Sequence, residues 1–276
     1  MNYRHHFHAG NFADLIKHAA LLAALAPLTA PGAPPLTVID THAGAGLYDL
    51  DGDMARKSGE AALGVARLIA DLTAPAVFAP LKAAVDQVNP AGGLRFYPGS
   101  PWLTAQALRA GDHLTAYELR PEDALALTSV LKPLRAPAEV ICADGFDSAP
   151  QRLAKAGAAL ILIDPPFERP DDYERAAAAL AALLARGPAA TIMIWTPLKD
   201  LETFDRLLRG IELINAPPTL VAETRLRPLD NPMRLNGCAL TITNPPPSLE
   251  AALRPACDWI VERLGQRGGE ARVWTL

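Results

Sequence analysis

The sequence predicts a doubly wound α/β protein built on a mainly parallel sheet, and three observations carry that prediction. Apolar runs of strand length alternate with Ala/Leu-rich stretches of helical length along most of the 276 residues. Several of these runs end on acidic residues: 36–40 on Asp40, 114–117 before Glu118, 138–142 before Asp144 and 158–163 before Asp164. Half of the residues are hydrophobic, enough to bury one large core, so residues 1–276 are expected to form a single elaborated domain. In such sheets ligands collect outside the carboxyl ends of the strands, where these acidic residues lie.

Taken in order, a basic N-terminal segment leads into a helix over 13–25, a Pro-rich loop and the strand 36–40. A glycine loop follows at once. Glu118 then comes much further along the chain than the roughly 20 residues expected in a simple strand–helix–strand unit. Helical patterning over 59–72 and 80–88 accounts for the excess, because a structureless loop of that length is uncommon in a compact domain. A small helical insertion over about residues 51–91 is therefore expected, placed where it could cover a substrate. Helices over 121–131 and 173–184 separate the later strands, and a strand is expected at 191–195. Beyond residue 220 come two strand candidates, one of them 238–243, joined by an Arg-rich connection and followed by a helix over 249–264.

The formal net charge of −4 gives no whole-molecule attraction to a polyanion, so any nucleic-acid surface must be local. Cys142, Cys238 and Cys257 lie far apart without CxxC spacing, which suggests neither a zinc knuckle nor a disulfide framework and fits a reducing cytoplasm. The apolar run 19–28 behind a basic segment imitates a signal-peptide core. Asp14 interrupts the positive region, however, and Pro27, Pro31 and Pro34 lead straight into a strand, so an ordinary buried helix is expected. No apolar stretch approaches the roughly 20 residues needed to span a bilayer, and no membrane association is expected.

Val38-Ile39-Asp40-Thr41-His42-Ala43-Gly44-Ala45-Gly46 is an apolar strand entering a glycine turn, where missing side chains let backbone approach a ligand. It lacks the Gly-Lys-Ser/Thr ending of a triphosphate loop and the third glycine of the dinucleotide fingerprint. Glu118 stands where a carboxylate can accept hydrogen bonds from both ribose hydroxyls of an adenosyl group. Asp144 and Gly145 offer a carboxylate and a permissive backbone for an adenine amino group, although Asp-Gly is also an ordinary turn pair. Ser100 sits in Tyr97-Pro98-Gly99-Ser100-Pro101, which reads first as a turn.

The run 158–163 is nearly all apolar, as for a strand buried on both faces, and ends abruptly at Asp164-Pro165-Pro166-Phe167. Adenine N6 is a poor nucleophile because its lone pair is delocalised into the ring. A catalyst must draw its N–H bonds into hydrogen bonds, and Asp164 with the Pro165 carbonyl would supply two acceptors fixed by consecutive prolines. Phe167 would offer a flat face to a base removed from its stack. Asn244-Pro245-Pro246-Pro247 imitates the motif without an aromatic fourth residue and is read as the end of an edge strand.

Four of the six histidines fall within the first eighteen residues, in Tyr3-Arg4-His5-His6-Phe7-His8 and at His18 next to Lys17. No carboxylate or cysteine completes a metal site at ligand spacing, and no metal is expected. Interleaved aromatic, imidazole and cationic groups suit stacking on bases and contact with phosphates, so Tyr3, Arg4 and His5 become candidate RNA contacts. Lys17 and His18, on the helix behind, could reach the carboxylate end of a cofactor.

These strings, in this order over most of the chain, resemble the RlmJ family of bacterial 23S ribosomal RNA adenine-N6 methyltransferases. The N-terminal Tyr-Arg-His-x-Phe-His-Ala-Gly-Asn-x-Ala-Asp is the most specific of them. The resemblance implies a Rossmann-like class I methyltransferase domain with a helical subdomain after the glycine loop. It also implies S-adenosyl-L-methionine as cofactor, S-adenosyl-L-homocysteine as product and 23S rRNA as partner. Contacts to the cofactor are implied at Lys17 or His18, His42, Ser100, Glu118, Asp144, Gly145 and Asp164, with Gly44 and Gly46 in the loop; Asp164 is catalytic and Tyr3 lies near the substrate nucleotide. Phe167 stands where the family is expected to carry tyrosine, which keeps the ring and loses a hydroxyl. A local RNA surface is expected to draw on Arg4, Lys17, Arg225, Arg227 and Arg234, and no obligate protein partner is evident, so a monomer is expected. The rival readings are methylation of DNA adenine or of an rRNA guanine amino group and, more distantly, a nicotinamide-dependent oxidoreductase or a non-catalytic RNA-binding protein.

Overall fold

The computed structural model describes residues 4–134, 137–153, 157–169, 171–231 and 234–276. In chain order its elements are α1 (Phe12–Leu28), β1 (Leu36–Asp40), β2 (Leu47–Asp49), α2 (Asp53–Ser58), α3 (Glu60–Leu63), α4 (Val65–Ala70), α5 (Ala79–Val88), β3 (Phe96–Pro98) and α6 (Ser100–Ala107). Then follow β4 (His113–Tyr117), α7 (Pro121–Leu131), β5 (Ala138–Ile141), α8 (Gly145–Arg152), β6 (Ala158–Ile163), α9 (Asp172–Arg186) and β7 (Thr191–Leu198). The chain closes with α10 (Leu201–Leu213), β8 (Thr219–Arg225), β9 (Gly237–Thr243), α11 (Leu249–Leu264) and β10 (Glu270–Thr275).

The main sheet has the order β10-β8-β9-β7-β6-β1-β4-β5. From β7 to β5 every pairing is parallel, whereas β9 runs antiparallel between β7 and β8 and β10 antiparallel on β8. Side chains alternate between two cores, which explains why the central strands are apolar throughout. Val38, Leu160, Leu162 and Met193 face the layer containing α1, α6 and α11; Ile39, Ile161, Ile163 and Ile192 face α8, α9 and α10.

Between β1 and β4, the short helices α2 to α5 rise from a two-stranded ribbon in which Leu47 pairs Pro98 and Asp49 pairs Phe96. The patterning over 59–72 is split at Gly64 rather than forming one helix. A Cβ there would lie 2.2 Å from the Gly10 carbonyl oxygen, and the next amide, Val65 N–H, donates to that oxygen at 2.8 Å. The break thus seats the segment on the N-terminal turn. Asp71 ties its far end to α11 by accepting from the Trp259 indole at 2.8 Å.

Asn244 does not end an edge strand, since β9 lies inside the sheet. Because β9 is antiparallel, Thr243 pairs Ile192 near the start of β7, so Asn244 sits at the opposite end of the sheet from Asp164. There its amide donates to the Pro188 and Ala190 carbonyls at 2.9 and 3.0 Å, a structural clamp. Among the described residues no helix is long and apolar enough to cross a membrane.

Candidate active site

The carboxyl ends of β1, β4, β5 and β6 open onto one cavity of about 470 Å³. It is walled on the far side by the N-terminal turn and the start of α1, which contribute His5, His6, Lys17 and His18. Apolar strands push each following polar residue to this edge. Asp164 follows β6, Glu118 follows β4, and Asp144 caps α8 after β5 by accepting from the Phe146 amide at 3.0 Å.

Asp164 meets Lys17 across 147 positions of chain, with Nζ 2.6 Å from Oδ2. The same ammonium lies 2.8 Å from Asp14 Oδ1, and the Lys17 side chain is only 5% exposed. Burial alone would drive the ammonium toward neutrality, but the two carboxylates outweigh it and hold its pKa well above the ordinary lysine value. Burial likewise penalises the Asp14 carboxylate, yet His5 and Lys17 hold it well below the usual range. Lys17 is therefore bound to the carboxylate at the strand end and presents no free charge to RNA, contrary to expectation.

Asp40, at the end of β1, accepts from the Ser100 hydroxyl at 2.6 Å and from the His42 amide at 3.3 Å. Burial raises its pKa to about 6, only partly countered by the Ser100 hydrogen bond. A carboxyl whose folded pKa is raised favours folding most below its unfolded value, and that contribution fades as pH rises through about 6. Asp40→Asn is accordingly expected to gain about 3 kcal/mol of stability over the ligand-free wild type above pH 6, with the gap closing toward pH 4. Denaturant titrations of both proteins at the two ends of that range check this; a gap that widens on acidification rejects it.

Glu118 is buried and accepts from the Gly44 amide at 2.9 Å and the Arg120 amide at 2.8 Å; burial raises its pKa despite these bonds. Gly44 has φ +61, and a Cβ would strike the Tyr48 hydroxyl. Gly46 does not line the cavity: its missing Cβ makes room for Leu127 of α7, which would lie 2.6 Å away, so this glycine serves packing. Gly145 does line it, and its bare Cα lets the first turn of α8 lie against the Thr41 carbonyl, 2.0 Å from where a Cβ would stand. The supposed turns at Ser100 and Gly145 are thus helix starts.

Asp144 pairs with Arg175 of α9 at 2.8 Å; burial opposes its charge, but this guanidinium holds its pKa below the usual value. His42 packs edge-on against Phe146, and burial pushes its pKa down to about 4. His18 stacks on Tyr97 and shares a 2.8 Å hydrogen bond with its hydroxyl, while burial pushes its pKa down to about 3. Both imidazoles are neutral in the physiological range.

Phe167 departs from expectation. It is 4% exposed, does not line the cavity, and packs between Tyr173 and Trp195 at ring distances of 4.6 and 6.0 Å. The backbone reaches this slot through a left-handed turn with φ +48, and Lys199 Nζ donates to the Phe167 carbonyl at 3.4 Å. The ring is a core residue here and exposes no stacking face, so Phe167→Ala is expected to lose about 3–5 kcal/mol in chemical denaturation. A loss confined to RNA affinity would contradict this placement.

Tyr3 lies outside the described residues. His5 lines the cavity with Nε2 3.0 Å from Asp14 Oδ2, and Arg4 stands 3.7 Å from Glu122 at the surface. Arg225 is engaged by Glu223 and Glu270, which leaves Arg227 and exposed Arg234, on the loop between β8 and β9, as the basic groups beside it. Because Arg225 and Gly237 pair at the level of Leu198, that loop shares the sheet edge of the cavity. Asp14 and Arg175 were not singled out from sequence, and Asp40 was named only as a strand end and not as a site residue; the signal for Asp14 was its spacing from Lys17, which places unlike charges on one helix face.

Residues 33–276 match the family model RsmJ, described as ribosomal RNA large subunit methyltransferase D, RlmJ. The chain belongs to this family. It is 33% identical to the ribosomal RNA large subunit methyltransferase J of Escherichia coli K12, over 99% of this chain and 98% of that protein. It is 30% identical to the protein of the same name from Haemophilus influenzae, over 100% and 98%. The crystal structure of protein LPL1258 from Legionella pneumophila superposes with a TM-score of 0.88 at 28% identity, covering 97% of this chain and 98% of that one. The RlmJ-family chain thus has the Rossmann-like class I methyltransferase fold, with the expected mainly parallel sheet.

Proposed function

We propose that the protein transfers a methyl group from S-adenosyl-L-methionine to the N6 amino group of an adenine in 23S ribosomal RNA, acting in the cytoplasm as a monomer. The observation that carries the reading is the ion-paired Asp164, anchored by Lys17 at the end of a buried strand and facing a cavity rimmed by further carboxylates. The donor set suits the cofactor. Glu118 offers acceptors for ribose hydroxyls, Asp144 an acceptor for the adenine amino group, and the uncharged His18 and His42 with Ser100 surround the remainder, so a cationic ligand meets net negative charge. S-adenosyl-L-methionine supplies an electrophilic methyl group on a sulfonium centre.

The chain's own residues then do two things. Lys17 occupies Asp164 Oδ2, so Oδ1 is the oxygen assigned to the amino hydrogen, and the Pro165 carbonyl is assigned the second. Each acceptor draws electron density toward N6 without first removing a proton, and the prolines and ion pair hold both in place beforehand. After methyl transfer the surplus proton leaves N6 toward this carboxylate. With Phe167 in the core, the flipped base is left to Pro165, Pro166, His5 and His6, which line the cavity.

The test is transfer of labelled methyl groups to unmodified 23S rRNA, with nucleoside mass spectrometry identifying N6-methyladenosine. Labelling of duplex DNA but not of that RNA, or calorimetric binding of NAD without binding of S-adenosyl-L-methionine, rejects the proposal.

A further inference from the structure

Asp14 lies outside the cavity lining, yet it contacts two groups that line it, Lys17 and His5. It is 1% exposed on α1. Its Oδ1 lies 2.8 Å from Lys17 Nζ, while Oδ2 accepts from the Gly10 amide at 2.9 Å and lies 3.0 Å from His5 Nε2. Lys17 in turn reaches Asp164. A continuous path of hydrogen bonds therefore runs from His5 on the cavity wall, through Asp14 and Lys17, to the carboxylate at the end of β6.

We infer that Asp14 is a positioning residue for methyl transfer: it holds the Lys17 ammonium on Asp164 Oδ2 and links that ion pair to His5, so one buried carboxylate aligns the strand end with the N-terminal wall. The inference rests on the methyltransferase reading of the site. Lysine is a point charge on a flexible stem with three rotatable donors, so one partner fixes its position poorly and two fix it well. Asp14 is also the second half of the negative charge that lets a buried ammonium persist. The other groups around Lys17 do not replace it. His18 on the same helix is neutral, Asp40 at the end of β1 is bonded to Ser100, and Tyr48 and Tyr97 of the ribbon are held in their protonated form by burial. Trp195 of β7 presents only its ring, 6.0 Å from Nζ, and burial keeps Cys238 of β9 as a thiol.

Without Asp14, Lys17 keeps Asp164 alone while burial still favours its neutral form. A neutral amine then releases Oδ2, and Asp164 can rotate.

The experiment compares wild type, Asp14→Asn and the double variant Asp14→Asn/Lys17→Arg across pH, with rRNA methylation as readout. Asp14→Asn is expected to lower kcat by on the order of 10²-fold through misplacement of the acceptor, with the KM for S-adenosyl-L-methionine changed by no more than about twofold. Its kcat falls further as pH rises, over a range where wild type is flat, and the double variant is flat again because a guanidinium stays protonated. NMR of the Lys17 ammonium gives a readout independent of turnover: it titrates at lower pH in Asp14→Asn than in wild type. An Asp14→Asn protein with wild-type kcat, or with the same loss at every pH and an untitrated Lys17, overturns the inference. Should Asp14→Asn fail to fold, Asp14→Glu decides: a lower kcat with a flat profile is expected, and an unchanged kcat overturns it. Wild type that binds S-adenosyl-L-methionine but methylates no rRNA overturns the functional reading instead, whatever Lys17 does in the NMR titration.

Discussion

Asp164→Asn is expected to cut single-turnover methyl transfer by on the order of 10²–10³-fold, the scale on which removing one preorganised electrostatic partner acts. Asparagine keeps the size of the side chain and one acceptor, so the turn and the cavity are retained. It loses the charge that polarises the amino group and turns an NH2 toward either Lys17 or the substrate's own N–H, replacing attraction by repulsion. Lys17, 2.6 Å from Oδ2, loses one of its two counterions and draws closer to Asp14. The effect is thus on the chemical step. Labelled methyl transfer measured with enzyme in excess over RNA isolates that step, and circular dichroism confirms an intact fold. A rate within about threefold of wild type would remove Asp164 from the mechanism.

Strand ends were legible in the sequence because burial on both faces leaves a nearly continuous apolar run whose first polar residue marks the sheet edge. This is why Glu118 and Asp164 could be named in advance; Asp144 follows the half-exposed edge strand β5, and all three line one cavity. What each carboxylate touches was not legible. Asp164 meets Lys17 and Ser100 meets Asp40 through sequence-distant packing, and nothing in the local pattern around 164 points to residue 17. Phe167 marks the same limit. A Pro-Pro-Phe string states that an aromatic follows a rigid turn, whereas its direction depends on a slot made by Tyr173 and Trp195 from later elements. The Asn244 motif was misplaced for a related reason, since strand polarity in the carboxyl-terminal part depends on pairing partners and not on composition.

Lys17→Met carries an expected loss of stability as large as that of Phe167→Ala, and one that depends on pH. Methionine fills the stem but leaves Asp14 and Asp164, 2% and 14% exposed, without the cation between them. Breaking a buried pair from one side costs about 3–5 kcal/mol, because the partner's charge stays buried and uncompensated. The sign of the pH dependence follows. In wild type the Asp14 pKa is depressed, so its contribution is present above the unfolded carboxylate value and is lost as pH falls through the folded one. In Lys17→Met that depression is weakened, since only His5 and the Gly10 amide still oppose burial, and protonation relieves part of the buried charge instead. The difference between the two proteins is therefore expected to be full at neutral pH and to shrink on acidification below about pH 4. Denaturant unfolding at neutral and acid pH measures it directly. A deficit equal at both would mean that Lys17 stabilises the fold by packing alone, and the catalytic carboxylate would then need another source for its alignment.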